Sequence, residues 1–236
     1  MHSPNFFLVH FQIRNHPLVH LRIVIYINSL GIILTPVTTK DVISACKKLK
    51  NKFTSGVDNI PAFIIKDCAT IFAEPLSHLF NTCIESGKYP DLWKIARVTP
   101  VYKKGEATDV SNYRPISILC NFSKVFEIIL HNKIYSQIRT SISTQQHGFV
   151  KGRSTLTNLV LFSQYALDIL NKSSQLDVIY LDFQPAFDSI DHYILLHKLQ
   201  ALGFVGNFIS LLKSYLVGRT QFVAYEGFES VLYRAT

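Results

Sequence analysis

The stretch VIYLDFQPAFDSIDHYILLHKLQALG, residues 178–203, constrains this chain more than any other. An apolar run ends on a carboxylate, Asp182. Two further acids, Asp188 and Asp191, follow, and then helical spacing sets in. The pattern reads as a strand over 177–183, a turn, and a helix with Ser189 as its cap and Gly203 past its end.

An aspartate closing a buried strand has three ordinary explanations. It caps the next helix, pairs with an arginine in the core, or binds a metal at the sheet edge. Side chains alternate along a strand, so Val178, Tyr180 and Asp182 share one face while Ile179, Leu181 and Phe183 share the other. Asp182 therefore points the same way as a line of core-sized residues. Asp188 and Asp191 fall near the start of the next helix, where acids satisfy unpaired N–H groups and the helix dipole, and they read as structural. Asp182 is left as the candidate metal ligand. One carboxylate cannot build a two-metal site, because two Mg²⁺ ions about 4 Å apart need carboxylates from at least two places. Glu226 and Glu229 follow in a Gly-containing context without paired acids.

Composition limits the classes that can host such a strand. The 236 residues suffice for one large domain, or one plus an appendage. Hydrophobic residues at 48% and charged residues at 17% exclude a disordered chain. A formal net charge of +8 is compatible with a nucleic-acid partner and equally with a merely basic soluble protein. Cys46, Cys68, Cys83 and Cys120 are widely spread without metal-ligand spacing, and read as reduced, mostly buried thiols of a nuclear or cytosolic protein. The first 34 residues are apolar but carry His20, Arg22 and Asn28, and fit neither a membrane span nor a signal peptide well, a membrane anchor being the minority reading. Their β-branched content argues weakly for strands, and they are left unassigned as an N-terminal extension.

From Thr35 onward the patterning is that of a folded domain. Val42, Ile43, Cys46 and Leu49 share a helical face, with Thr39 as N-cap. A turn-rich loop, NKFTSGVDNIP, precedes a helix that carries Ile71 to Ile84, bent or started at Pro75 and ended before Gly87. WKIARVTPVYKK and YRPISIL read as two arms of a hairpin around the polar turn GEATDVSN, with basic residues on both arms. A helix capped by Asn121 follows, then a Gly-containing basic loop, STQQHGFVKGRST. Leu156, Leu159, Val160, Leu167 and Leu170 continue as a helix. A last helix over 208–216 stops at Gly218, and RTQFVAYEGF opens another strand.

VIYLDFQPAFDSIDH resembles the first catalytic motif of reverse transcriptases from non-LTR (LINE-type) retrotransposons. SGVDNIPAFIIK resembles the loop and helix that open that domain. WKIARVTPVYKKGEATDVSNYRPISILCNFSKVFEIIL resembles the fingers motif, QQHGFVKGRSTLTNL the template-associated block, and GFVGNFISLLKSYLVGRTQFV the segment after the first catalytic motif. The motifs occur in the family's order over about residues 37–236, and in series they are highly specific.

The resemblance implies an α+β, right-hand polymerase fold: a helix-rich chain with fingers and a partial palm whose sheet is incomplete. The fingers and palm fall at 94–236 and an N-terminal helical part at 35–93. It implies that Asp182, with the backbone carbonyl of Phe183, holds Mg²⁺ against the phosphates of a dNTP. It places Phe187 under the sugar, where its bulk excludes a 2′-OH; without the resemblance Phe187 is simple core packing. Lys103, Lys104 and Arg114 match positions that reach the triphosphate, although by themselves they describe a solvated basic turn. Gly148, Lys151 and Arg153 match residues near the template. The implied partners are an RNA template, a DNA primer and a dNTP, with no membrane.

Two departures from the family pattern stand out. Pro185 replaces a basic residue usual in the first catalytic motif. The Gly-rich segment and the hairpin bearing two adjacent aspartates do not follow Thr236 in this sequence. The Mg²⁺ site is then incomplete, and the strand at 178–181 is expected to lack sheet neighbours. The expectation is a truncated polymerase domain, inactive alone, with a non-catalytic RNA-binding remnant as the alternative.

Overall fold

A computed structural model describes residues 10–13, 19–20, 34–140, 142–172, 174–179 and 190–235. The chain divides into two compact units, one formed by 1–27 with 138–189 and the other by 28–137 with 190–236. Both mix helix and strand, and the α+β class expected from the sequence holds.

The larger unit begins with α1 (Thr39–Lys47). Its N-cap is Thr38, not Thr39. Asp41 lies three residues after Thr38, and the two close a reciprocal capping box that Thr39 has no partner to make. After α2 (Ala62–Asp67), α3 runs over Ala69–Ser86. Pro75 lies inside α3 rather than starting it; the helix begins at the break in backbone geometry at Cys68. Gly87 ends α3 in the left-handed conformation, φ 65°. A Cβ there would lie 2.7 Å from the Ser210 Cβ, so the turn also needs glycine for close packing.

β3 (Ile95–Tyr102) and β4 (Tyr113–Ile118) form the expected hairpin, with Val101 opposite Arg114 and Tyr102 opposite Tyr113. α4 (Asn121–Ile138) follows. Asn121 lies inside α4 and is 1% exposed. Its amide donates to Thr54 O (3.2 Å) and Ile60 O (2.8 Å), clamping the preceding loop rather than capping the helix. α6 (His192–Ala201) is capped by Asp191, whose carboxylate accepts from Ile194 N at 2.9 Å. That confirms the structural role read for Asp191 and corrects the cap assigned to Ser189. Ser189 and Asp188 lie outside the described residues. α7 (Asn207–Leu216) leads into β6 (Thr220–Tyr225).

β6 pairs in parallel with β3, Ala96 opposite Gln221 and Val98 opposite Val223, so the sheet is mixed. β7 (Phe228–Glu229) and β8 (Tyr233–Arg234) pair antiparallel with β6. The core of this unit is aromatic. Phe80 stacks on Phe126 at 4.6 Å, and Tyr89 and Trp93 close round them. The hydroxyl of Tyr89 meets Ser123 Oγ at 2.8 Å, and Glu127 accepts from Ser123 and Tyr215, so this core carries a satisfied polar chain.

In the smaller unit, β1 (His10–Ile13), β2 (Val19–His20) and β5 (Leu176–Val178) form an antiparallel sheet in the order β2-β1-β5. Phe11 is opposite Val178. Of the strand expected at 178–181 to lack neighbours, Val178 therefore has one, while Tyr180 and Leu181 lie outside the described residues. α5 (Thr155–Leu170) is capped by Ser154 in a box with Thr157. The helix expected from its leucines is present, and Leu156, Leu159, Leu167 and Leu170 are exposed, with Ile169 its one buried residue among those described.

Candidate functional site

The hairpin presents its basic residues on a turn that is pinned from several sides. Lys103 N donates to Asn112 O at 2.8 Å, extending the β3–β4 ladder by one bond. Tyr102 and Tyr113 pack edge to face at 5.6 Å, and Tyr225 of β6 continues the row at 6.3 Å from Tyr113. The Tyr113 hydroxyl donates to Ala107 O at 2.9 Å and that of Tyr102 to Gly105 O. Asn112 donates to Glu106 O, and Asp109 accepts from Ser111 N. The backbone N–H and the hydroxyl of Ser111 hold the Asp109 carboxyl below its ordinary value. Gly105 takes φ +96°, and a Cβ there would press into Asn112 at 2.6 Å. An eight-residue turn of this composition would be floppy in isolation; here each quarter of it has a backbone partner.

Lys103, Lys104 and Arg114 are exposed on this turn and its second arm. None forms an ion pair among the described residues, where the salt bridges are Lys94–Asp91 and Lys133–Asp41. The structure thus brings three unneutralised cations to one end of one hairpin. That arrangement can grip a polyanion without first breaking a bond to an acid.

The loop carrying Gly148, Lys151 and Arg153 belongs to the smaller unit. Arg153 donates through Nη1 to Ser143 O (3.1 Å) and to Gln146 O, stapling the loop closed. Gln146 donates to Gly148 O at 3.0 Å, and His147 Nδ1 meets Thr157 Oγ1 at 2.9 Å. Lys151 is exposed, and Gly152 beside it takes φ +82°. Within this group Arg153 acts on the loop backbone, while Lys151 projects into solvent.

Asp182, Phe183 and Phe187 lie outside the described residues. Among the described residues no group of three or more His, Cys, Asp or Glu side chains converges, so these offer no Mg²⁺ site of their own. No described helix is long and apolar enough to cross a membrane.

Sequence reasoning missed a second basic locus. A cavity of about 680 Å³ opens between the segment after α1 and the face of α4, lined by Lys48, Lys50, Lys52, Lys124, Glu127 and His131 among others. The run KKLKNK at 47–52 was the available signal.

Residues 101–234 match the family model described as reverse transcriptase (RNA-dependent DNA polymerase). The chain is 30% identical over 203 residues to the RNA-directed DNA polymerase from mobile element jockey of Drosophila melanogaster, covering 84% of this chain and 22% of the relative. It is 27% identical over 189 residues to the probable RNA-directed DNA polymerase from transposon BS of the same species, covering 79% of this chain and 21% of the relative. It is 28% identical over 189 residues to the probable RNA-directed DNA polymerase from transposon X-element, also of that species, covering 79% and 21%. The chain spans about a fifth of the length of these curated relatives.

Proposed function

The chain belongs to the reverse transcriptase (RNA-dependent DNA polymerase) family, in its LINE-type, non-LTR retrotransposon branch, and from that membership we propose that it contributes the nucleotide-gripping part of an RNA-directed DNA polymerase. The observation that carries the proposal is the pinned turn with Lys103, Lys104 and Arg114 free of acid partners among the described residues. Phosphoryl transfer gives a protein little covalent chemistry to do; it needs positive charge placed in advance where negative charge develops. A turn fixed by its own bonds meets that need, because its backbone loses little order on binding. Arginine can take a phosphate bidentately and lysine acts as a point charge.

In this proposal residues 94–236 are the fingers and part of the palm of a right-hand polymerase, and 35–93 its N-terminal helical part. Asp182 and the carbonyl of Phe183 hold Mg²⁺, Phe187 lies under the sugar, and Gly148, Lys151 and Arg153 approach the template. The partners are an RNA template, a DNA primer and a dNTP, in the nucleus or cytoplasm. A two-metal site needs at least one more carboxylate element, wherever it is encoded. A polypeptide of these 236 residues is therefore proposed not to polymerise alone.

The test is equilibrium binding of dTTP and of a primer–template to the 236-residue chain and to K103A/K104A/R114A. The triple variant should lose at least tenfold in dTTP affinity; unchanged affinity would remove the hairpin from the proposal. Mg²⁺-dependent primer extension by the parent chain would overturn the proposed inactivity.

A further inference from the structure

The cavity between the segment after α1 and α4 is distinct from the hairpin and lies wholly within the larger unit. Lys48, Lys50 and Lys52 approach from one short segment, in which Lys52 N donates to Lys50 O at 2.8 Å in a tight turn. Lys124 faces them from α4, its ammonium donating to Asn121 Oδ1 at 3.2 Å. No carboxylate of the described residues forms a salt bridge with any of the four. Glu127 is on the wall, but its Oε1 accepts from Ser123 and Tyr215 on the core side. Burial pulls the Lys124 ammonium below its ordinary value; Glu127 and Asp58 act against that pull, while Lys52 adds to it by repulsion.

Four lysines and His131 line the cavity, against the single carboxylate of Glu127, so positive charge prevails on its wall. A volume of about 680 Å³ lies in the range of small-molecule clefts, and far exceeds what one phosphate fills. Thr54 and Asn121 line the same cavity and add polar groups for a sugar or base edge. We propose that this cavity binds nucleotide phosphates, as a second phosphate site independent of Lys103, Lys104 and Arg114. The choice of a nucleotide over another anion rests on the polymerase reading; the anion site itself rests on the cavity alone.

The experiment titrates the 236-residue chain with fluorescent oligo(rU) over a salt series, with UTP and unlabelled oligo(rU) as competitors. The site variant is K48A/K50A/K52A, whose three lysines are all exposed and leave the core untouched. The charge-matched control is K40A/K47A/K88A, exposed lysines outside the cavity. Three lost phosphate contacts on a single strand should reduce the steepness of the fall of log K with log salt by about 2. The site variant should show that drop with at least a tenfold loss of affinity, and the control should show less than half of either. Competition by UTP identifies a free nucleotide as the ligand, and competition by oligo(rU) alone identifies an RNA strand. Equal losses in the two variants, or no loss in the site variant, would overturn the proposal. K103A/K104A/R114A run alongside separates the two readings: an effect confined to that variant supports the hairpin and sinks the cavity, and the reverse outcome does the opposite.

Discussion

Replacing Asn121 tests how the N-terminal loop is held against the helical core. The residue is 1% exposed, and its amide nitrogen makes two bonds to backbone carbonyls across more than 60 positions of sequence, at 2.8 Å to Ile60 and 3.2 Å to Thr54. Each neutral hydrogen bond contributes about 1 kcal/mol net, and the lost side-chain packing adds a cavity cost, so Asn121→Ala should destabilise the unit by about 2–3 kcal/mol. Asn121→Asp keeps the volume and the oxygen that accepts from Lys124, but turns a carboxylate oxygen toward two carbonyls. The carbonyls repel that oxygen while Lys124 attracts the other, so Asn121→Asp should still cost about 1 kcal/mol or more. Urea unfolding of the three proteins, read as midpoint shifts at constant slope, measures both costs. If both variants unfold at the parent's urea concentration, the two bonds do not hold the loop, and the clamp is wrong.

The same loop should resist a methyl group at Gly56, since a Cβ there would lie 2.5 Å from Cys120 N and 2.7 Å from Cys120 Cα. Gly56→Ala should cost about 1–3 kcal/mol by overpacking against backbone that cannot swing aside, and a neutral result in urea unfolding would contradict that contact. Glu127 supplies a pH dependence. Burial raises its carboxyl above the ordinary value, with the Ser123 and Tyr215 bonds opposing, so the folded state holds the proton more tightly than the unfolded one. Its contribution to stability is present below the unfolded value of 4.5 and is lost as pH rises through the folded value. Glu127→Gln should therefore gain stability relative to the parent between pH 4 and pH 8; an unchanged difference would refute the shift. Cys46, Cys83 and Cys120 are buried, and burial pushes the Cys46 thiol up to about 11. A thiol reagent at neutral pH should label Cys68 first and the others only on unfolding, and fast labelling of Cys46 would contradict the packing of α1.

How far the sequence could be read depended on whether a feature is local. The hairpin was legible because alternation, a polar turn and returning alternation all lie within residues 94–118. α7 and the glycine that ends α3 were legible for the same reason, although α7 itself ends on an extended Val217, one residue before Gly218. Thr38 was missed beside Thr39, although the acid three residues after it distinguishes the two. Asn121 precedes an apolar helical run and so resembles a cap; its true partners, Thr54 and Ile60, are distant in sequence and leave no local trace. The parallel pairing of β3 with β6 spans 125 positions between Ile95 and Thr220, and periodicity says nothing of it. The basic cavity was only half legible: the run of lysines at 48–52 is local, but Lys124 joins Lys48, Lys50 and Lys52 only once α4 has packed.

The most direct test of the polymerase reading is photocrosslinking of a dTTP analogue carrying its reactive group on the γ-phosphate, followed by peptide mapping. The account predicts a crosslink within residues 103–114, competed by dTTP and lost in K103A/K104A/R114A. A crosslink that maps elsewhere in the parent chain and persists in that variant would contradict it.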